Sequence, residues 1–290
     1  MEGRSGIRGE QRDMKIFSFK KKTPEEYEKT LVPPDVPTAK LSYCVANLQG
    51  VGMRARQEDS FAFVNVFDVT QIQKKGLMFV VADGMGGMQD GRQASGTAVA
   101  ALKKTFMDMD REDDIAQQLH DGMFAAGQQV YQALGGAGGS TAVACIIFRE
   151  MLYFASVGDS FLYLCRNGQM IRLNREHNVR SEQCLERIRA GRMDPVFTDR
   201  TPDADALTQF LGMAGMDEVD YLRRPLPLQE GDILLSCSDG IGGVLSQQIL
   251  LTCMESGHPE EICNALEREI AAQKRRHQDN YTALVVKCTY

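Results

Sequence analysis

Residues 140–174 read STAVACIIFREMLYFASVGDSFLYLCRNGQMIRLN, four short apolar runs parted by turn residues. The runs STAVACIIF, MLYFASV, FLYLC and MIRLN are rich in β-branched and aromatic residues, and Gly or Asn turns are expected between them, as in an antiparallel meander. Asn167-Gly168 is the strongest hairpin signal in the chain, because both residues tolerate the positive φ of a tight hairpin turn. Working outward, QASGTAVAALKKTFMDM (93–109) and REDDIAQQLHDGMFAAGQQVYQAL (111–134) place apolar residues at helical spacing, and GGAGG ends the pair. LMFVVAD (77–83) and DILLSCSD (232–239) are apolar runs of strand length, SFAFVNV is strand-like, and TALVVKCTY closes the chain as a strand. SEQCLERIRAG, DADALTQFLG, LSQQILLTCM and PEEICNALEREIAAQKRR read as helices. Strands grouped apart from helices predict an α+β layered domain rather than a doubly wound parallel sheet.

Composition excludes several classes. The chain has 290 residues, 43% hydrophobic and 25% charged, as an ordinary soluble protein does. With 33 basic against 39 acidic residues the net charge is -6, which argues against a nucleic-acid binder and suits an enzyme that gathers divalent cations. No apolar run approaches the ~20 residues of a membrane helix. The start MEGRSGIRGEQRDMK lacks the apolar core of a secretory signal, so a cytoplasmic protein without a membrane partner is expected. The eight cysteines form no C-x-x-C pair and read as buried thiols. Residues 1–38 form a flexible arm, with one helical turn around PEEYEKTL, ahead of a domain spanning 39–290. To Lys40 the arm has nine basic and seven acidic residues, about +2, leaving about -8 for the remainder; four of the nine prolines fall in it.

The acidic residues point to the chemistry. Asp83 and Asp239 each end an apolar strand and precede glycines, Asp159 follows YFASVG, Asp279 precedes TALVV, and Glu58-Asp59 precedes SFAFVNV. A single Asp-Gly after a strand is ordinarily a turn, but buried carboxylates are costly unless paired or bound to a cation. Oxygen-only ligands suit Mg²⁺ or Mn²⁺, and the four histidines fall in no zinc-ligand spacing. Two such ions would activate a bridging water and hold a phosphate for in-line attack. Arg54 could grip that phosphate with its forked donors, with Arg56 competing for the role.

The motifs RARQED (54–59), FVVADGMGG (79–87), GGSTA (138–142), VGDS (157–160), SDGI (238–241) and DNYTALVV (279–286), with LTQFLG (207–212), resemble in kind and order those of the metal-dependent type-2C Ser/Thr protein phosphatases, bacterial branch. The resemblance spans about Leu41 to Tyr290 and implies a four-layer αββα sandwich of two antiparallel sheets flanked by helices. It further implies two Mn²⁺ or Mg²⁺ ions bridged by Asp83, with Glu58 and the Gly84 carbonyl completing one site and Asp239 and Asp279 the other. Asp59 would hold a metal-bound water or the metal itself, and Arg54 the phosphate. The implied reaction is direct hydrolysis of phosphoserine and phosphothreonine on proteins, with a Hanks-type Ser/Thr kinase and its targets as partners and a monomer as the working unit.

The family pattern is not complete. Met85 stands where some members carry a histidine, and Met88 and Arg92 where the bacterial pattern has His and Glu. Gly243 replaces an Asp that helps Asp159 bind a third metal, so a third ion resting on Asp159 is expected to be weak. These departures motivate a second class of reading, a pseudophosphatase that binds phosphoproteins without turnover. A GDSL-type esterase reading of GDSFL (158–162) would need an Asp-x-x-His pair, which none of the four histidines supplies. The segment from about His177 to Thr208 reads as a flap that shapes substrate choice.

Overall fold

The computed structural model describes residues 41–85, 90–192 and 203–290; the expected arm, Gly86, Gly87, Met88 and the middle of the flap lie outside them. The first elements are β1 (Ser42–Gly50), β2 (Ser60–Val64), α1 (Val69–Lys75), β3 (Leu77–Ala82) and β4 (Gly84–Met85). The expected helical pair follows as α2 (Asp90–Asp108) and α3 (Ile115–Leu134), then β5 (Gly139–Ser140), β6 (Ala142–Phe148), β7 (Met151–Val157), β8 (Phe161–Arg166) and β9 (Gln169–Arg172). The remainder comprises α4 (Val179–Arg189), β10 (Asp220–Tyr221), β11 (Leu226–Pro227), β12 (Ile233–Cys237), α5 (Asp239–Gly242), α6 (Gln247–Met254), α7 (Pro259–Ala272) and β13 (Tyr281–Thr289).

The expected meander is two hairpins in two different sheets. β6 pairs with β7 and β8 with β9, both antiparallel, but β7 and β8 are not neighbours. One sheet runs β1-β13-β12-β8-β9 and the other β10-β7-β6-β3-β2, with β11 also on β7. The chain changes sheets at Gly158–Ser160, where Gly158 has φ +96 and an added Cβ would meet Thr141 Cγ2 at 2.6 Å. The β6–β7 turn is made by Arg149 and Glu150 at φ 51 and 63, not by Gly or Asn, whereas Asn167-Gly168 turns β8 into β9 as expected.

Three apolar layers explain why the central strands read as unbroken hydrophobic runs. Alternate residues of a strand face opposite sides of its sheet, so a strand covered on both faces needs no polar positions. Leu77, Phe79 and Val81 of β3 meet Leu162, Leu234 and Leu284 between the sheets. Met78, Val80 and Ala82 face the other way, against Leu102 and Phe106 of α2 and Leu119 of α3. Leu235 and Cys237 of β12 pack on Leu250 of α6 and Leu266 of α7. The molecule is thus an αββα sandwich, as expected. Truncating the fully buried Phe106 to Ala would remove about 3–5 kcal/mol of stability.

Three local expectations change. The helix expected from residue 111 begins at Ile115, because the Asp114 side chain accepts from Gln117 N (3.0 Å) as its N-cap. Arg111 instead donates to the carbonyls of Lys75, Phe106 and Met109, satisfying acceptors at the ends of α1 and α2. DADALTQFLG is not a helix. Val179 N and Arg180 N, orphan donors at the start of α4, bond to Ala206 O and Ala204 O, while Leu211 exchanges both backbone bonds with Ser140. Those cross-links use the groups a helix would pair internally. Edge strand β1 buries only Leu48 fully, so its pattern carried no clear strand signal. Among the described residues no helix is long and apolar enough to cross a membrane.

Candidate active site

The strand registers bring the acidic residues to one end of the sandwich. Ser60, which starts β2, pairs with Ala82, which ends β3, so Glu58-Asp59 lies beside Asp83. Ala283 near the start of β13 pairs with Cys237 at the end of β12, so Asp279 lies beside Asp239. Asp159 occupies the crossing between the sheets. Antiparallel pairing alone makes strand ends and strand starts neighbours; stacking of the two sheets then joins both groups.

Side-chain bonds tie the two sheets together there. Asp59 is buried, and its Oδ2 accepts from Ser238 Oγ (2.9 Å) and Thr282 Oγ1 (2.7 Å) on the opposite sheet. Asn280, also buried, accepts from Glu58 N at 2.8 Å and donates to Val51 O and Arg56 O at 2.8 and 3.0 Å. It pins the loop carrying Arg54 and Glu58 against β13. Asp83 is anchored by its backbone, which donates to Thr141 Oγ1 (3.1 Å) and accepts from Thr141 N (2.8 Å) and Ser140 Oγ (2.9 Å). A Cβ on Gly84 would lie 1.9 Å from Gly91 O, and one on Gly91 would lie 2.8 Å from Gly84 O and 3.0 Å from Glu58 Cδ. Only glycine at both positions lets the Gly84 carbonyl and the Glu58 carboxyl draw together.

The carboxylates form one electrostatic unit centred on Asp83, which interacts with both Asp59 and Asp239. Burial first, then repulsion from Asp59 and Asp239, pushes the Asp83 carboxyl well above the usual aspartate range. Burial lifts Asp59 to about 6 against the lowering effect of its two hydroxyl donors. Asp159 rises to about 7, from burial and then the charge of Asp239, and burial raises Asp239 as well. Asp59 Oδ1 and Asp239 Oδ1 are buried and accept no hydrogen bond among the described residues. Orphaned acceptors and repelling carboxylates on oxygen-only donors fit hard divalent cations. The side-chain placement is nonetheless that of a hydrogen-bonded cluster. Among the described residues no three Asp, Glu, His or Cys side chains are arranged to enclose an ion. Arg54 Nη2 lies 2.5 Å from Asp279 Oδ2, and Asn280 N donates to Asp279 Oδ1 at 2.8 Å.

Glu58, Asp59, Asp83, Gly84, Asp159, Asp239 and Asp279 therefore reach this end of the fold, and Arg54, more than half exposed, pairs there with Asp279. Asp159, Asp239, Asp279 and Gly243 line one cavity of about 340 Å³. Ser160 is buried with its Oγ 2.7 Å from Thr141 Oγ1, a structural bond that leaves no exposed nucleophile for an esterase. The sequence reading did not assign roles to Ser238, Thr282, Thr141 or Asn280; the first two sit within SDG and DNYT, next to the selected carboxylates.

A family model for protein phosphatase 2C (PP2C) matches residues 46–196, and one for stage II sporulation protein E (SpoIIE) matches 178–289. The chain belongs to the protein phosphatase 2C family. It is an enzyme of that family, a protein phosphatase. The serine/threonine phosphatase Stp of Listeria welshimeri is 30% identical over 58% of this chain and 68% of its own length. Among solved structures, PppA, a regulatory component of the type VI secretion system (T6SS) in Pseudomonas aeruginosa, superposes with TM-score 0.68 at 26% identity, over 85% of this chain and 98% of that one. The catalytic domain of the serine/threonine phosphatase PstP in complex with 2 manganese ions gives TM-score 0.67 at 22% identity, over 87% of this chain and all of that one, a likeness of fold.

Proposed function

We propose that this PP2C enzyme hydrolyses phosphoserine and phosphothreonine on proteins with the help of two divalent cations, Mn²⁺ or Mg²⁺. The observation that carries the reading is the convergence of buried Asp59 with half-buried Asp83 and Asp239 into one cluster with orphaned oxygens and upward-shifted carboxyls. Asp83, Glu58, Asp239 and Asp279, with the Gly84 carbonyl, are the groups that would hold the two cations, Asp83 standing between the two sets. Bound cations supply Lewis acidity toward an attacking water and a phosphate oxygen. The remaining work belongs to the chain. Asp59, fixed by Ser238 and Thr282, accepts a hydrogen bond from a water on its free Oδ1. Arg54, more than half exposed, exchanges its pair with Asp279 for the substrate phosphate; such an exposed pair is worth at most about 1 kcal/mol, so a dianionic phosphate can take it. A third cation at Asp159 would be held weakly, because Gly243 brings no carboxylate to the cavity both residues line.

The substrates are phosphoproteins, with a Hanks-type kinase and its targets as the first candidates. The arm covers 1–38 and the phosphatase domain 39–290, consistent with β1 starting at Ser42. Eight free thiols favour the cytoplasm. The test is release of phosphate from p-nitrophenyl phosphate and a phosphothreonine peptide against MnCl₂, with EDTA and Asp239→Asn as controls. Saturable release abolished by both is expected. No release at millimolar Mn²⁺ would favour the pseudophosphatase instead.

A further inference from the structure

Beside the cleft lies a second groove of about 510 Å³, lined by Met53 and Tyr281 and by one acidic residue, Glu267, against three basic ones, Arg268, Lys274 and Arg275. Arg275 lines both this groove and the cavity that holds Asp159, Asp239 and Asp279. The sequence pattern carries the helical run PEEICNALEREIAAQKRR through Lys274-Arg275-Arg276. In the structure α7 stops at Ala272, and Lys274 adopts φ 48, which turns the chain off the helix axis. Lys274, Arg275, Arg276 and His277 become an exposed corner at the mouth of the cleft. Its base is fixed by Gln278, which donates to Gly240 O (2.9 Å) and accepts from Met53 N on its backbone (2.8 Å).

This corner is electrically unlike its surroundings. Among the described residues Lys274, Arg275 and Arg276 have no ion-pair partner, whereas Arg54, Arg166, Arg172 and Arg175 each have one. The domain around it is acidic, and Asp159, Glu176, Asp205, Asp239 and Asp279 line the adjoining cavity. Unpaired cations on an acidic enzyme, continuous with its cleft, attract anionic groups that the cleft's own field would repel. The groove also offers apolar surface, with Met53 69% exposed beside Ile270 and Tyr281.

We propose that this groove is a specificity site: it receives the stretch of phosphoprotein next to the phosphorylated residue, and Arg268, Lys274 and Arg275 select Asp or Glu side chains in that stretch. The proposal rests on the phosphoprotein reading above. It assigns to the corner no part in the bond-breaking step.

The test compares two phosphothreonine peptides, one with acidic and one with alanine flanks, together with p-nitrophenyl phosphate, which has no flanks. The enzymes are the wild type, Lys274→Gln/Arg268→Gln, which alters the groove alone, and Arg275→Gln, which also touches the cleft. For two exposed charged contacts, the wild type is expected to favour the acidic peptide in kcat/KM by about tenfold, through KM, with the preference shrinking at 0.5 M salt. The double variant should lose that preference while its p-nitrophenyl phosphate turnover stays unchanged and reports intact folding, and Arg275→Gln should weaken the preference measured relative to its own p-nitrophenyl phosphate turnover. Fluorescence anisotropy of labelled acidic peptide, read with Mn²⁺ and with EDTA, measures the same preference without turnover. Hydrolysis of p-nitrophenyl phosphate with equal use of both peptides by the wild type would overturn the groove proposal and leave the phosphatase standing. Absence of all hydrolysis together with tight acidic-peptide binding would do the reverse.

Discussion

Asp159 offers the sharpest test of the idea that this end of the fold stores electrostatic strain. Its carboxyl is lifted from the ordinary 3.8 to about 7, by burial first and by the charge of Asp239 second. At about 1.4 kcal/mol per tenfold change, holding it ionised costs the folded state about 4 kcal/mol above pH 7. Relaxation and partial contact with solvent reduce this by about half, to roughly 2 kcal/mol. The sign follows from proton counts. The folded carboxyl binds its proton more tightly than the unfolded one, so the native state carries more protons between about pH 4 and 7 and loses stability as pH rises through that window. Asp159→Asn keeps the shape and removes the charge. In EDTA at pH 8 the variant should melt about 4–8 °C above the wild type, for a domain of this size, and the gain should fall below about 1 kcal/mol at pH 5. Thermal melts by circular dichroism from pH 5 to 8 read both numbers. A variant less stable at pH 8, or a gain that does not change with pH, would refute the account.

Other consequences are equally direct. Asn280→Ala removes three hydrogen bonds and leaves Glu58 N and two carbonyls without their partner, so it should cost about 2–4 kcal/mol in urea unfolding and raise the Mn²⁺ concentration for half-maximal activity. Arg54→Ala frees Asp279 from its ion pair; titration calorimetry should show Mn²⁺ binding unchanged or up to about fivefold tighter, while kcat/KM on phosphopeptide falls at least about tenfold. Gly243 is exposed with φ -83, so Gly243→Asp is tolerated once its Cβ eases away from Asp239 O at 2.9 Å. It should lower the Mn²⁺ requirement and raise turnover, and an unchanged Mn²⁺ titration would remove the argument for a weakened third site.

The sequence alone determined most of the elements and singled out the carboxylates that the fold gathers at one end, because both are written locally. Strand β3 announced itself by six consecutive apolar residues, and Asp83, Asp239 and Asp279 by their fixed places at strand ends. Tertiary structure decided what local pattern cannot encode. The run 140–174 has one hydrophobic signature but belongs to two sheets, since strands buried on both faces look alike whichever sheet they join. DADALTQFLG has helical spacing, yet its backbone bonds are claimed by the start of α4 and by Ser140. Ser238 and Thr282 became the donors that hold Asp59, and Arg54 the partner of Asp279, across 179, 223 and 225 residues of chain. The basic corner at Lys274–His277 likewise took its meaning from one residue with positive φ, which turned a helix end toward the cleft. Periodicity reports what a residue must bury; only the folded chain reports what it must face.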